Sequence, residues 1–317
     1  MVTRVASFGR SQALIAQLMV AQQRAQQSLV QSSTGRKADD YQGYGIDASR
    51  LISANSYLAT TQQGIDSATQ LKITLDAQQL AVSQLRTDLQ KLTKSLSSNI
   101  AGNTAAGLIT TLNTSLSAMF STLNASQNGS YLLAGTRSNA APVVATAGTS
   151  TGLMALTNGN AAFDQIGRAL TVTIAGGGTV SFGPLARDLG APIFQVLQNI
   201  YKYNAGTYTG VGGPGTALTG DLTTAQSTFL TSQLSLLYEA DAPTLDISVR
   251  GGAVVNQVAD MITRLSAQKT AAAKFLGEIQ DIDFAGAASR LNDDRAAVDV
   301  ATKVLASVDK SNLLNYL

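Results

Sequence analysis

The sequence predicts a mainly α fold with an inserted β domain: an elongated chain with terminal helices forming a coiled-coil core, a helical rod, and a β-rich outer domain. Three observations carry this. All five prolines, Pro142, Pro184, Pro192, Pro214 and Pro243, fall between residues 142 and 243. The same region holds most of the glycines, 16 of 28 lying between 135 and 220, so helix breakers are confined to the middle. On either side apolar residues recur at three- and four-residue spacing, whereas the middle contains short alternating runs. The expected division is 1–38 with 280–317 as the terminal core, 39–138 with 222–279 as the helical rod, and 139–221 as the inserted β-rich domain.

In the first helix Phe8, Ile15, Leu18, Ala25 and Leu29 form the apolar stripe against a Gln-rich back, and Gly35 stands at a C-cap position. A second helix begins around Asp47. From Leu71 its stripe becomes strict, with Leu75, Gln78, Val82, Leu85, Leu89, Leu92 and Leu96 continuing an a/d seam for about four heptads. SNIAGNTAAG interrupts it, and Leu108, Leu112, Leu116, Met119 and Leu123 form another helix closed by NASQNGS. LTVTI and TVSF, joined through AGGG, read as a β-hairpin, and NAGTYTGVGGPGTALTGD as a flexible surface loop. Helical spacing returns after Pro243 with Val254, Val258, Met261 and Leu265, then Phe275 or Leu276 and Ile279. Beyond GEIQDID a second seam runs through Phe284, Ala287, Leu291, Asp294, Val298, Ala301, Leu305 and Val308, its alanines predicting close approach of another helix.

Composition narrows the chemistry. The chain contains no Cys and no His, which removes disulfides, thiolate metal sites, cysteine nucleophiles and the commonest general base. No enzyme, catalytic residue, cofactor or metal is expected. Net charge is +2, which makes no case for nucleic acid, and no run of about 18 apolar residues suggests membrane insertion. The start lacks the compact apolar segment of a cleaved secretory signal. A cysteine-free chain suits either a reducing cytoplasm or an exported protein. AGGGTVSFG has no following lysine or helix to make a phosphate cradle, and the carboxylates of DIDF and NDDR lack the loop of a calcium site. Arg36, Lys37, Asp39 and Asp40 read as a self-paired charged loop, available for contacts if assembly presses it on a neighbour.

The two ends differ in sign. Residues 1–38 carry Arg4, Arg10, Arg24, Arg36 and Lys37 without an acid, whereas 280–317 carry six Asp against Arg290, Arg295, Lys303 and Lys310. Opposite charge favours their pairing, and apolar burial supplies most of the energy. Two helices of about 50 Å, at 1.5 Å per residue, bury only one stripe each as an isolated pair. Segments 1–35 and 284–317 are therefore expected to be disordered in the monomer and to fold on assembly with copies of the same chain. The apolar ending SNLLNYL belongs to the same surface. The expected interface comprises Phe8, Ile15, Leu18, Ala25 and Leu29 near one end, and Phe284, Leu291, Val298, Leu305, Val308, Leu313, Leu314, Tyr316 and Leu317 near the other.

Three stretches carry a family resemblance. SSTGRKADD at 32–40, NGSYLLAGTRSNAAPV at 128–143, and IQDIDFAGAASRLN with the closing SNLLNYL resemble the flagellin superfamily, and within it the hook-filament junction branch. The loop after STG is shortened and carries YQGYGID where the family usually has a paired Asp followed by Pro. The resemblance implies a structural, secreted flagellar subunit required for motility. It would leave through the flagellar type III export apparatus with an export chaperone, and sit outside the cell between the other junction protein and flagellin. A filament-forming flagellin is the alternative; a surface adhesin would use Tyr201, Tyr203 and Tyr208 as a binding face.

Overall fold

The computed structural model describes residues 2–163, 167–174 and 178–314, with side chains described over 12–163, 167–174, 178–180 and 183–307. It forms two compact units, Met1–Thr60 with Ala267–Leu317, and Thr61–Ser266.

The first unit contains α1 (Val2–Thr34), the start of α2 (Ala48–Ala101), the end of α6 (Thr224–Gln280) and α7 (Phe284–Leu314). Gly35 ends α1 where the sequence places its cap: its φ is +71°, and its N–H donates to the Gln31 carbonyl at 2.9 Å. Asp283 opens α7, its carboxylate accepting from the Ala285 N–H at 3.1 Å. The two helices run antiparallel. Ile282 N–H donates to the Gly35 carbonyl at 3.0 Å, and farther along the Ser28 hydroxyl meets the Asp294 carboxylate at 2.5 Å.

In the second unit the strict seam of α2 is buried from Leu71 through Leu96, as is the stripe of α3 (Leu108–Leu123). Leu85, Leu89, Leu92 and Leu96 share one core with Leu112 and Met119 of α3, Phe194 and Ile200 of α5 (Ala186–Asn204), and Phe229 and Leu237 of α6. Polar contacts on the same helices fix the antiparallel register of α2 and α6: Arg86 pairs with Asp241 at 3.0 Å, and Gln79 donates to the carbonyl and hydroxyl of Ser248. A smaller cluster joins Ala68, Leu71 and Leu75 to Val258, Met261 and Leu265.

Two antiparallel hairpins complete the described β structure. β1 (Ser126–Gln127) and β2 (Ser130–Tyr131) turn through Asn128 and Gly129, both at positive φ, as a two-residue hairpin turn requires. β3 (Leu170–Ile174) and β4 (Gly178–Phe182) lie where the alternating runs predict, with Val172 opposite Val180. Ile174 and Val180 are buried in the smaller cluster, while Thr171 and Thr173 face solvent.

The inserted β region is small, and its neighbours are helical. α4 (Ser150–Ala155) is capped by the Thr149 hydroxyl, and α5 supplies the largest buried face of residues 139–221. Proline was expected to mark turns, yet Pro192 sits inside α5 and Pro243 inside α6. In α5 the cost is limited to the carbonyl of Asp188, which lacks its i+4 donor, while Leu189, Ile193, Leu197 and Ile200 gain a buried stripe. Burial of that stripe outweighs one missing bond. The stretch 204–221 is irregular but tied down rather than free: Leu218 is buried, its N–H bonds Asn204, and Gln226 donates to Thr216 and Ala217.

Many helical Ser and Thr hydroxyls bond back to a carbonyl one turn earlier. Examples are Thr69 to Ile65, Thr87 to Ser83, Thr93 to Leu89, Thr231 to Ser227 and Thr263 to Ala259.

Candidate assembly interface

The α1–α7 seam is built by two interlocking heptad stripes. On α1 the positions turned inward are Leu14, Leu18, Ala21, Ala25 and Ser28; on α7 they are Ala287, Leu291, Asp294, Val298, Ala301 and Leu305. From Ala287 through Leu305 the α7 stripe is the one read from the sequence, and Phe284 is exposed. The α1 stripe is partly different. Leu18 and Ala25 face α7, whereas Ile15 and Leu29 point to solvent with Met19, Val20 and Val30.

The stripe Phe8, Ile15, Leu18, Ala25 and Leu29 thus combines two faces of one helix. Leu14, Leu18, Ala21, Ala25 and Ser28 follow a strict a/d spacing that was available, but the small and polar members at 21, 25 and 28 concealed it. Of the expected interface residues, Leu18, Ala25, Leu291, Val298 and Leu305 lie within the intramolecular seam, and Ile15, Leu29 and Phe284 are solvent-facing. The side chains of Phe8, Val308, Leu313 and Leu314, and the whole of Tyr316 and Leu317, lie outside the described residues. Met19, Val20, Val30, Val300 and Val304 were missed as exposed apolar members.

Complementary charge was expected to select the pairing. Among the described residues no ion pair joins α1 to α7; the polar contact across the seam is Ser28 to Asp294. Long side chains on the outer faces remain in water, so apolar burial carries the pairing.

The charged loop is not self-paired. Lys37 Nζ donates to the carbonyls of Glu278 at 3.0 Å and Ile279 at 2.7 Å, capping the end of α6, and its N–H donates to the Gln280 carbonyl at 2.8 Å. Arg36 forms an isolated antiparallel bridge with Asp281. Gln31 Nε2 donates to the Lys37 carbonyl at 2.7 Å. Asp40 caps the following 3-10 turn, Tyr41–Asp47, by accepting from the Gly43 N–H, and Asp39 is exposed. The orphaned carbonyls at the end of α6 attract the ammonium group more effectively than exposed carboxylates nearby. The result is a latch between the α1–α2 connection and the α6–α7 connection.

Burial separates the two units sharply. Among the described residues, thirteen of the twenty exposed large apolar side chains belong to the first unit, which buries only Leu51, Ala54 and Ala287 among its apolar residues. They include Met19 at 65% exposure and Ile46 at 92%. This surface suits association. Among the described residues no group of acids could hold a metal ion, and no helix is long and apolar enough to cross a membrane.

Tyr201, Tyr203 and Tyr208 do not form a binding face. Tyr203 stacks on Phe229 with ring centroids 3.9 Å apart, Tyr208 meets the same ring edge-on, and Tyr201 is buried. Among the described residues the Tyr201 hydroxyl has no hydrogen-bond partner, and burial pushes its pKa above the ordinary tyrosine range.

Comparison with curated proteins finds no match. A family model described as the bacterial flagellin C-terminal helical region matches residues 248–317. Among solved structures, one assigned as a flagellar hook-associated protein from Vibrio parahaemolyticus superposes with a TM-score of 0.59 at 19% identity, covering 76% of this chain and 98% of its own. The FlgL crystal structure from Bacillus cereus superposes with a TM-score of 0.52 at 10% identity, covering 71% and 98% respectively. Residues 248–317 thus match the bacterial flagellin C-terminal helical region, on a chain that shares the fold of these two structures.

Proposed function

We propose that the chain is a structural, non-enzymatic subunit of the bacterial flagellum, the hook-filament junction protein also called hook-associated protein 3. The observation that carries this is the first unit, which leaves most of its large apolar side chains in water and therefore needs neighbours. The flagellin C-terminal match at 248–317 and the fold shared with the Vibrio and Bacillus proteins support a flagellar assembly. In this reading residues 1–38 and 280–317 line the inside of a tube, 39–138 with 222–279 form the rod, and 139–221 turn outward.

Assembly is coupled to ordering. The exposed α1 face gains partners from neighbouring copies, and the chain contacts the other junction protein on one side and flagellin on the other. It reaches this extracellular station by flagellar export with its chaperone. Arg36 and Lys37 keep the α1–α7 pair attached to α6, while Ile15, Leu29 and Phe284 meet neighbours.

Deletion of the gene tests the station. Cells that keep hooks and shed unattached flagellin are expected. Cells that retain full filaments would overturn the junction role, and loss of the filament polymer itself would identify a filament flagellin. Amide exchange on the purified monomer tests the coupling: fast exchange across α1 and α7 is expected, and strong protection of both at micromolar concentration would refute it.

A further inference from the structure

The 3-10 turn after the latch presents an unusual side chain. Ile46 is 92% exposed on a turn held by local hydrogen bonds. Asp40 accepts from the Gly43 N–H at 2.9 Å, the Tyr44 hydroxyl donates to the Ala38 carbonyl at 2.8 Å, and Arg50 pairs with Asp47 at 3.1 Å. Gly45 adopts φ +53° and ψ −121°, a conformation suited to glycine, immediately before Ile46. A Cβ on Gly43 would lie 2.2 Å from that of Ala38, so the turn is tightly closed. An isoleucine is thus displayed on a closed turn.

The same unit contains a matching recess. Between α2 and α6 a groove of about 430 Å³ is lined by Ser49, Arg50, Ser53, Ala54, Tyr57, Ala272 and Phe275. Both aromatic rings are 47% exposed and could be covered by an entering aliphatic side chain. Charge is complementary as well. The turn region 38–47 carries Asp39, Asp40 and Asp47 and no base, whereas Lys269 and Lys274 on 267–277 have no acid among them. Arg50 and Asp47 neutralise each other at home. Among the described residues, Asp39, Lys269 and Lys274 have no ion-pair partner.

We propose that Ile46 of one copy seats in the Tyr57–Phe275 groove of the next copy. This rests on the assembly reading above and specifies its contact. Arg50 lines the groove and pairs with Asp47 beside the knob, but Ile46 itself is not part of the lining, so the contact is head-to-tail and propagates into a closed ring or a helix.

The absence of native cysteine makes a clean test. The full chain with Ile46→Cys and Ala272→Cys is produced in cells lacking the native copy, and isolated flagella are oxidised and run on a non-reducing gel. A reducible ladder of dimers and higher species that needs both substitutions is expected. Assembled chain that runs only as monomer would overturn this contact while leaving the flagellar role intact. If the native chain is absent from flagella altogether, both the role and the contact fail. A second variant guards against misfolding: Ile46→Asp is expected to melt as the native chain does but to be retained in flagella at least tenfold less. Unchanged retention would overturn the proposal.

Discussion

Single residues of this protein are informative where a side chain stands without the partner its chemistry asks for. The Tyr201 hydroxyl is buried without an acceptor among the described residues, so Tyr201→Phe is expected to stabilise the chain by about 1 kcal/mol, read from the urea midpoint. The same residue sets an alkaline limit. Its neutral form is favoured in the folded state, so its contribution is fully present below the unfolded tyrosine pKa of about 10 and is lost as pH rises through the higher folded value. Thermal melts of the native chain should fall above about pH 10, and Tyr201→Phe should fall less steeply. Gly190 has the opposite problem. A Cβ there would lie 2.6 Å from the Phe163 ring and 2.8 Å from Leu123, so Gly190→Ala is expected to cost about 1–3 kcal/mol, despite alanine's better helix propensity. A melting temperature equal to that of the native chain would show that the ring can move aside.

Elements show how pairing is specified as well as how it is stabilised. The Ser28–Asp294 contact places two polar groups inside an otherwise apolar seam, where they fix register at the expense of stability. Replacing both, Ser28→Leu with Asp294→Leu, should slow amide exchange in α1 and α7 in the monomer and lower incorporation into flagella. Exchange no slower than in the native chain would argue against a stability cost. Lys37→Met should act at the latch alone, accelerating exchange at 278–282 while leaving the second unit's melt unchanged. Most of these elements are legible in the sequence because large residues mark them: the α2 seam from Leu71 to Leu96 and the α3 stripe are buried as their spacing predicts. The α1 seam was harder to see because Ala21, Ala25 and Ser28 carry too little apolar surface to stand out beside Ile15 and Leu29. α5 was obscured by Pro192, whose local penalty is smaller than the burial gained by its tertiary packing.

For the molecule as a whole, apolar burial is concentrated in the second unit and apolar exposure in the first. Native-state exchange should therefore open the first unit at lower free energy than the second, and oligomerisation should narrow the gap. Deleting SNLLNYL is expected to leave a soluble monomer that no longer enters flagella, checked by sedimentation and by blotting isolated appendages. The back-bonded hydroxyls along the helices have a mechanical side. Ser and Thr contribute little intrinsic helicity, so these helices persist through their packing rather than their backbone preference. Pulled from one end, such a chain should yield turn by turn under modest force, and once released it should regain its helices as quickly as neighbouring apolar faces become available.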